Sequence, residues 1–396
     1  MPKPRRALIS GAGIAGLSAA IALRRSGIEP HLVEIRSALG EIGAGLHIPG
    51  NGVRALYQLG IGDDATGAGQ TFTLRIRLNA GGQLQYEEEV GAVWGSEGFH
   101  LGIYRPVLHE LLQRAANVRV RLGVEVAAID QNEFGTHVRF SDGSEEEFDV
   151  VVGSDGVHSK VRSLAISASP PAYGGDMYWR GMVGGLRRLD NMLVFVGDRR
   201  VVGLVPVGND QTYVFGHLAS EEPIDDPIEG RLERFRARYS EFAGAAQEAV
   251  AALHRDEDLH FGATELVQLE STCSGRVVVI GDAAHAHPPG MAEGACLAME
   301  DAVVLGEELS RVSDVPIALQ AFHARRQPRV REVVRTALES SGRVAASKSL
   351  YASPFGRRVT ASESMYKFLA SPAYVDAAPR YPHARRGRGS RSHFAL

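Results

Sequence analysis

The sequence has few cysteines and no long apolar run, and these absences narrow the kind of protein it encodes. Cys273 and Cys296 are the two cysteines in 396 residues. This is too few for a disulfide framework, so we expect a reducing, cytoplasmic environment. No uninterrupted apolar stretch reaches the roughly 20 residues that a membrane-spanning helix needs. The formal net charge of −4 gives no reason to expect a nucleic acid or an anionic membrane as a partner.

A common hydrolase motif is also missing. The chain has no Gly-x-Ser-x-Gly, so a serine hydrolase of that type has no support. The stretch GDAAHAHPPGMAEGACLAMEDA (281–302) does contain possible zinc ligands in His285, His287, Glu293 and Cys296. The alternative is a strand, a turn and a helix start around an organic cofactor, with no metal. The glycine motifs that follow favour this second interpretation.

The N-terminal segment ALISGAGIAGLSAAIALRRSGIEPHLVEIR (7–36) predicts a strand, a tight turn, a helix and a second strand. Gly11, Gly13 and Gly16 have the G-x-G-x-x-G spacing, which permits the turn, the approach of a pyrophosphate and close helix packing. Glu34 ends the second strand, where an acid accepts hydrogen bonds from a ribose. The segment therefore predicts a site for FAD or NAD rather than NADP. A secretory signal, suggested by the basic start, explains the glycines less well.

Two further strands end in an acid beside glycine. FDVVVGSDGVHSKVR (148–162) contains Asp155 and Gly156, and the strand VVVI leads to Gly281 and Asp282. Together with GAGIAGL, GEIGAGLHIPGN and YRPVLHELL, these motifs resemble the class A flavin monooxygenases, the p-hydroxybenzoate hydroxylase-like aromatic hydroxylases. The resemblance extends over most of the chain and is closest to the salicylate and hydroxynicotinate monooxygenase type.

The resemblance implies a set of cofactor-binding residues. It assigns Arg105 to the ribityl and pyrophosphate oxygens, Val126 to a backbone contact with adenine, and Asp155 to both FAD and the pyridine nucleotide. The full set implied to bind cofactor is Gly11, Gly13, Ala15, Gly16, Glu34, Arg36, Arg105, Val126, Asp155, Gly156, Gly281, Asp282, Pro289, Gly294 and Ala295.

The resemblance also implies how the flavin ring is held. Asp282 would bind the ribityl hydroxyls, and the helix after Pro289 would aim its N-terminus at the flavin N1–C2 edge. Reduced flavin is anionic there, and a helix N-terminus favours negative charge. The chain departs from the family at 292–294, where Ala-Glu-Gly replaces the frequent Gly-Gln-Gly. Glu293 thereby brings a carboxyl group close to the flavin.

The predicted fold is α/β, with a Rossmann-like FAD-binding domain, an inserted and mainly antiparallel β-sheet substrate domain, and a helical C-terminal part. Strands such as TLRIRLN, MYWRGMV, NMLVFVG and TYVFGHL show the alternation of a half-exposed antiparallel sheet. We expect an FAD-binding domain in 1–71, 101–169 and 266–311, a substrate domain in 72–100 and 170–265, C-terminal helices in 312–372, and a mobile basic tail in 373–396.

Two local features refine this prediction. In DDPIEGRLERFRARY (225–239) the pattern predicts a helix with Asp226 as N-cap, Pro227 at the first position and Glu229 as capping-box partner. The Arg- and Gly-rich C-terminal end predicts a solvated, mobile segment, with a basic arm for an anionic partner as the alternative.

Three residues are candidates for catalysis or substrate contact. The resemblance places His47 beside the isoalloxazine, where a histidine could take a phenol proton. The alternative is a histidine that only bonds the backbone. Arg180 could pair a substrate carboxylate or a nearby backbone group. Tyr213 and His217 lie on one predicted strand, and either of them could reach the pocket, with Tyr213 as the candidate site residue.

The resemblance implies an FAD-dependent monooxygenase that uses NADPH or NADH and O2 to hydroxylate a small aromatic or heteroaromatic substrate through a C4a-hydroperoxyflavin. The same fold also performs reduction or dehydrogenation, epoxidation and Baeyer–Villiger oxidation, and a non-catalytic flavin-binding protein is a further alternative. The flavin-dependent halogenases fit less well, because their W-x-W-x-I-P segment is absent. We expect a monomer or a homodimer.

Overall fold

The structure is a computed structural model that describes residues 5–40, 43–95, 98–340, 351–352, 358–359, 361–371 and 373–374. The strands are β1 (Arg6–Ser10), β2 (Glu29–Glu34), β3 (Gly45–Ile48), β4 (Gln70–Phe72), β5 (Leu74–Asn79), β6 (Leu84–Glu89), β7 (His100–Tyr104), β8 (Val120–Leu122), β9 (Val126–Gln131), β10 (Thr136–Phe140), β11 (Glu145–Phe148), β12 (Val150–Gly153), β13 (Ala172–Gly184), β14 (Met192–Val196), β15 (Arg200–Pro206), β16 (Gln211–Ala219), β17 (His260–Leu266), β18 (Cys273–Ser274), β19 (Val277–Val279), β20 (Tyr351–Ala352) and β21 (Arg358–Val359). The α-helices are α1 (Ile14–Arg25), α2 (Gly50–Gln58), α3 (Gly62–Ala68), α4 (Arg105–Ala116), α5 (Lys160–Ala165), α6 (Arg231–Arg238), α7 (Ala245–Ala251), α8 (Asp282–His285), α9 (Gly294–Arg311), α10 (Val315–Ser340) and α11 (Ala361–Leu369).

A six-stranded sheet in the order β18-β19-β12-β1-β2-β8 forms the centre of the dinucleotide-binding part. Its strands are parallel except for the pair β18–β19. Helix α1 is the crossover between β1 and β2, and it packs along α9. Because β1, β12 and β19 are adjacent and parallel, their carboxyl ends meet at one edge of the sheet. This edge is where an open α/β sheet binds its ligand.

A seven-stranded sheet in the order β17-β13-β16-β15-β14-β5-β6 forms the second layer. Its neighbours run antiparallel except for the pair β14–β5, which confirms the prediction of a mainly antiparallel sheet. The four strands predicted from alternation are present as β5, β13, β14 and β16. Helices α6 and α7 cover one face through a core that includes Trp179 and Phe235. Strand β3 approaches the sheet at β13, β15 and β16.

The helix predicted to begin after Asp226 begins later. Helix α6 starts at Arg231, and Asp256 accepts hydrogen bonds from the Gly230 and Leu232 amides at 2.8 and 2.7 Å. Asp226 is buried, where it accepts a hydrogen bond from the Trp179 indole at 2.5 Å. The capping-box prediction was therefore wrong, because a distant aspartate caps the helix.

The C-terminal helices pack against the rest of the molecule. Arg54 of α2 and Arg329 of α10 both donate to the carbonyl oxygen of Leu369 at the end of α11. Tyr374 is buried against the core around α1 and α9, so residues 373 and 374 do not belong to a mobile tail. The rest of the predicted tail, 375–396, lies outside the described residues. Across the described ranges, no helix is long and apolar enough to cross a membrane.

Candidate active site

The three glycine motifs meet at the carboxyl edge of the six-stranded sheet. The Ser154 hydroxyl, beside Asp155, donates to the carbonyl oxygens of Ser10 and Gly11 at 2.8 and 2.9 Å. The Ile280 amide donates to the Gly153 carbonyl at 2.9 Å. The sequence predicted each motif separately, and the structure places them side by side.

The glycines of the first motif have different surroundings. A Cβ on Gly16 would lie 1.9 Å from the Gly11 carbonyl oxygen, so only glycine lets helix α1 pack this closely on the turn. Gly11 has φ +98° and faces the Ser154 backbone. A Cβ on Gly13 would meet nothing within 4 Å. Gly13 therefore faces open space, as the cradle for a pyrophosphate requires.

The acid at the end of β2 is held in place by backbone amides. Glu34 accepts from the Ala12 amide at 2.9 Å and from the Arg36 amide at 3.1 Å. The chain returns beside it, because the Val124 amide donates to the Glu34 carbonyl at 3.0 Å. Val126 begins β9 two residues later, with its side chain buried in a core cluster.

Asp155 has a structural partner of its own. Its carboxylate accepts from the Ser159 hydroxyl and from the amides of Lys160 and Val161, so it caps helix α5. Burial raises the pKa of Asp155, although these hydrogen bonds oppose the shift. Gly156, at φ +80°, makes the turn that follows. The double role in FAD and pyridine-nucleotide binding that the sequence suggested for Asp155 stays a prediction.

Arg105 opens helix α4 and lies in a group of charged side chains. Burial lowers the pKa of Arg105, and the neighbouring Arg36 and Arg180 lower it further, against the opposite effect of Asp282. Arg36, Arg180 and the Asp282 carboxylate are thus neighbours of Arg105. Guanidinium groups in this position suit the phosphates of a pyrophosphate.

The segment between α8 and α9 lines the same region. A Cβ on Gly294, the first residue of α9, would lie 3.8 Å from the exposed carboxylate of Asp282. Gly281 packs on Ala15 of α1, where an added Cβ would lie 2.9 Å from the Ala15 Cβ. Pro289 and Ala295 are half-buried at either side of this turn. The N-terminus of α9 thus lies beside Asp282, and the position of the flavin at this helix end stays a prediction.

Strand β3 lies below the seven-stranded sheet and depends on a glycine to do so. A Cβ on Gly45 would lie 2.3 Å from the Cβ of Tyr213 on β16. Tyr213 is buried, which raises its pKa, and the Arg180 side chain opposes this shift by hydrogen bonding to it. His217, further along β16, bonds Asp176 at 2.7 Å instead. Arg180 and Tyr213 are therefore neighbours above β3.

His47 on β3 is connected to Trp94 through His100 by two hydrogen bonds between side-chain nitrogen atoms. Its Nε2 lies 2.7 Å from Nδ1 of His100 on β7, and the Trp94 indole donates to Nε2 of His100 at 2.8 Å. Burial, with a smaller effect of Arg75, lowers the pKa of His47 to about 3. The pKa of His100 is lowered well below its usual range, first by burial and then by His47 and Arg75. His100 and Trp94 were not predicted as site residues.

The histidines after Asp282 bond protein groups. His285 Nε2 lies 2.7 Å from a carboxylate oxygen of Asp301, and His287 Nδ1 lies 2.7 Å from the His285 carbonyl. Among the residues that the structure describes, no group of three or more His, Cys, Asp or Glu side chains is arranged to hold a metal ion.

These residues fit FAD. The open face of Gly13 suits a pyrophosphate, the charge of Arg36 and Arg105 suits its phosphates, and Asp282 beside the amide end of α9 suits a ribityl chain and a flavin edge.

Comparison with known proteins agrees with this fit. The chain matches a family model described as FAD binding domain over residues 5–337. Aurachin C monooxygenase/isomerase of Stigmatella aurantiaca is 33% identical over 340 residues, covering 83% of this chain and 86% of that protein. An FAD-dependent urate hydroxylase of Klebsiella pneumoniae is 31% identical over 339 residues, covering 83% of this chain and 88% of that protein. The crystal structure of Klebsiella pneumoniae HpxO with FAD and uric acid superimposes with a TM-score of 0.79 at 26% identity, covering 92% of each chain.

The chain therefore belongs to the FAD-binding-domain family, within the class A flavin monooxygenases. It is an FAD-dependent monooxygenase that uses NAD(P)H and O2 to hydroxylate an aromatic or heteroaromatic substrate. The predicted fold class and cofactors are confirmed.

Proposed function

We propose that this monooxygenase acts on a small aromatic or heteroaromatic compound with a hydrogen-bond-accepting oxygen on its ring, and that His47 donates a hydrogen bond to that oxygen. A phenolate, a ring carbonyl and a carboxylate all meet this requirement. The proposal rests on one observation, the series of hydrogen bonds from Trp94 through His100 to His47.

The hydrogen bonds of this series run in one direction, with each donor on the Trp94 side and each acceptor on the His47 side. An indole nitrogen only donates, so Nε2 of His100 must accept and its Nδ1 must carry the hydrogen. Nε2 of His47 therefore accepts from His100, and the hydrogen of neutral His47 is on Nδ1. Because the Trp94 indole cannot accept a hydrogen bond, the donor and acceptor roles along this series cannot be exchanged. This supports a donor role for His47 in place of the base role that the sequence suggested.

The position of His47 suits contact with a substrate. The ring is half-buried, with its Nε2 side against His100. Gly45 and His47 point to the same side of β3, since they are two residues apart, and Gly45 faces Tyr213. We assign the substrate to the neighbourhood of His47, beside the point where β3 packs on the seven-stranded sheet, with Arg180 and Tyr213 as its other polar neighbours.

The remaining residues hold the cofactor in this proposal. Bound FAD supplies hydride acceptance from NAD(P)H and the activation of O2. Arg36 and Arg105 bind the pyrophosphate, Glu34 orients the adenosine ribose, and Asp282 holds the ribityl chain. The seven-stranded sheet acts as the substrate domain, covering the reactive edge and keeping water away from it.

Ligand pairs that differ only in the accepting oxygen test the proposal. Binding of hydroxybenzoates, hydroxypyridines and their deoxy analogues is followed by the change in flavin absorbance, with wild-type holoenzyme and His47→Leu. We expect the oxygen-bearing ligand to bind at least tenfold more tightly to the wild type, as a charge-assisted hydrogen bond of about 1.5–3 kcal/mol implies. The preference is expected to vanish in His47→Leu. A preference that survives this substitution would contradict the assigned role.

Assembly and location complete the proposal. We infer a monomer or a homodimer in the cytoplasm, the location being supported by the low cysteine content. Light scattering on the eluting holoenzyme tests the assembly, and a mass of three or more chains contradicts it.

A further inference from the structure

Glu293 replaces the glutamine that is frequent at this position of the family pattern. It lies between Ala292, which has φ +59°, and Gly294, the first residue of α9. Its side chain is completely buried and contacts Asn51 of α2. A carboxyl group is thus enclosed next to the N-terminus of α9, the helix end that the family resemblance assigns to the flavin N1–C2 edge.

The hydrogen bonds around Glu293 are incomplete for an ionised carboxylate. The Asn51 side-chain amide donates to Glu293 Oε2 at 2.8 Å and has a longer contact of 3.4 Å with Glu300 Oε1. The other oxygen of each partner, Glu293 Oε1 and Asn51 Oδ1, is buried without a hydrogen-bond partner. Both atoms are acceptors when Glu293 is ionised, so they cannot satisfy each other.

A proton on Glu293 supplies the donor that these two oxygens lack. A protonated carboxyl group donates from one oxygen and accepts at the other, while an amide donates from nitrogen and accepts at oxygen. Protonated Glu293 and Asn51 therefore have the donors and acceptors of a two-point acid–amide pair. A glutamine in the family position offers the same donor and acceptor without needing a proton.

The charges nearby do not compensate an anion at Glu293. Arg326 and Arg329 of α10 are bound to the buried Glu300 carboxylate, and Arg326 also binds Asp301. Among the described residues, the titratable or charged groups that face Glu293 are Glu300 and Cys296 of α9, Arg326 and Arg329 of α10, and Tyr366 of α11. Burial, reinforced by Glu300, raises the pKa of Glu293 to about 8, against the opposing effect of Asn51 and the two arginines.

We propose that Asn51 holds Glu293 as a neutral carboxylic acid and that this residue sets the pH range in which the bound flavin is readily reduced. At neutral pH the acid adds no negative charge beside the flavin edge that becomes anionic on reduction. When Glu293 ionises at alkaline pH, the carboxylate opposes that anion, and reduction has to take up a proton. Glu293 is thus a positioning and tuning residue. The inference rests on FAD binding and not on the substrate proposed above.

The reduction potential of bound FAD, measured against pH in the holoenzyme, tests this inference. Glu293→Gln can still accept the hydrogen bond from Asn51, offers an N–H donor to its oxygen, and cannot ionise. We expect nearly equal potentials for the two proteins at neutral pH. In the alkaline range we expect the reduction potential of the wild type to fall more steeply with pH than that of Glu293→Gln. The difference in slope is a tenfold factor in the reduction equilibrium per pH unit, or about 30 mV for two electrons. A higher potential of Glu293→Gln already at neutral pH, with parallel curves, would overturn the inference.

A control and a second measurement make the result independent of one variant. Glu110→Gln removes an exposed carboxylate on α4 and is expected to leave the potential curve unchanged. Infrared difference spectra of oxidised wild-type holoenzyme between about pH 6 and about pH 10 report the protonated carboxyl directly. We expect a protonated carboxyl band at neutral pH that disappears in the alkaline range. Absence of any such titrating band overturns the inference even if Glu293→Gln does not fold.

Discussion

The indole nitrogen of Trp94 lies 2.8 Å from Nε2 of His100, and this bond determines the hydrogen position on a third residue, His47. Since the indole is a donor only, the two histidines have one compatible arrangement of hydrogens. A half-buried histidine beside the predicted flavin site thereby becomes a donor of fixed orientation, which is the basis for the substrate class proposed above.

Replacing Trp94 by phenylalanine tests this arrangement. Trp94→Phe leaves a buried nitrogen of His100 unsatisfied, which costs about 1–3 kcal/mol of unfolding free energy in addition to lost packing. Nitrogen-15 NMR of labelled histidine is expected to show one Nδ1–H tautomer of His47 in the wild type and a mixture in the variant. Trp179→Phe is the control, because the Trp179 indole donates to Asp226 in the core between the seven-stranded sheet and helices α6 and α7. The control is expected to leave the His47 tautomer unchanged, and a mixed tautomer in the wild type contradicts the arrangement.

The depressed pKa of His47 predicts how stability depends on pH. With a folded-state pKa of about 3 and an ordinary value near 6.5 in the unfolded chain, the unfolded state binds the proton first as pH falls. Stability is therefore complete above about pH 6.5 and decreases below it. Between about pH 6.5 and pH 5, we expect the unfolding free energy of His47→Gln to rise by up to about 2 kcal/mol relative to that of the wild type. Urea unfolding measures this difference. An unchanged difference between the two proteins over this range would show that His47 titrates normally.

Two glycines of the first motif are predicted to respond differently to alanine. Gly16→Ala places a Cβ against the Gly11 carbonyl, so both folding and FAD retention should suffer. Gly13→Ala meets open space, so the apoprotein should unfold within about 1 kcal/mol of the wild type. The same variant should lose FAD affinity, because the methyl group occupies the pyrophosphate cradle. Calorimetry of the apoproteins and FAD titration measure these effects, and full FAD affinity in Gly13→Ala would contradict the assigned cradle.

Removing the charge of Arg105 is predicted to weaken FAD binding. Arg105→Gln removes a charge-assisted contact to phosphate of about 1.5–3 kcal/mol, which raises the FAD dissociation constant roughly 10- to 150-fold. Arg114→Gln on the same helix is the matched control, because Arg114 is exposed and pairs with Glu110. The control is expected to bind FAD normally. Equal affinities in both variants would place Arg105 outside the cofactor site.

The parts of the site that the sequence predicted are those encoded locally. Gly11, Gly13 and Gly16 are a turn and a helix start, and Glu34 follows within the same βαβ unit, so spacing alone indicates their roles. The alternation of apolar residues likewise predicted β5, β13, β14 and β16. In these cases the residues that define the element are close together in the chain.

The parts that were missed depend on contacts between distant segments. His47 and His100 meet only because β3 pairs with β7, and Asn51 meets Glu293 because α2 packs on α9. For the same reason, Asp256 caps α6 and the predicted residue Asp226 does not. A single sequence contains no signal for such pairings. The sequence did indicate that Glu293 is unusual, but its partner and protonation follow only from the fold.

The most direct test of the whole account is the rate at which NADH and NADPH reduce the bound flavin, measured anaerobically by stopped-flow absorbance. The measurement is made with and without phenols, aromatic acids and hydroxypyridines, alongside their deoxy analogues. We predict that an oxygen-bearing aromatic accelerates reduction by orders of magnitude and that its deoxy analogue does not. Fast reduction that is indifferent to every aromatic compound would contradict the account and indicate a flavin reductase.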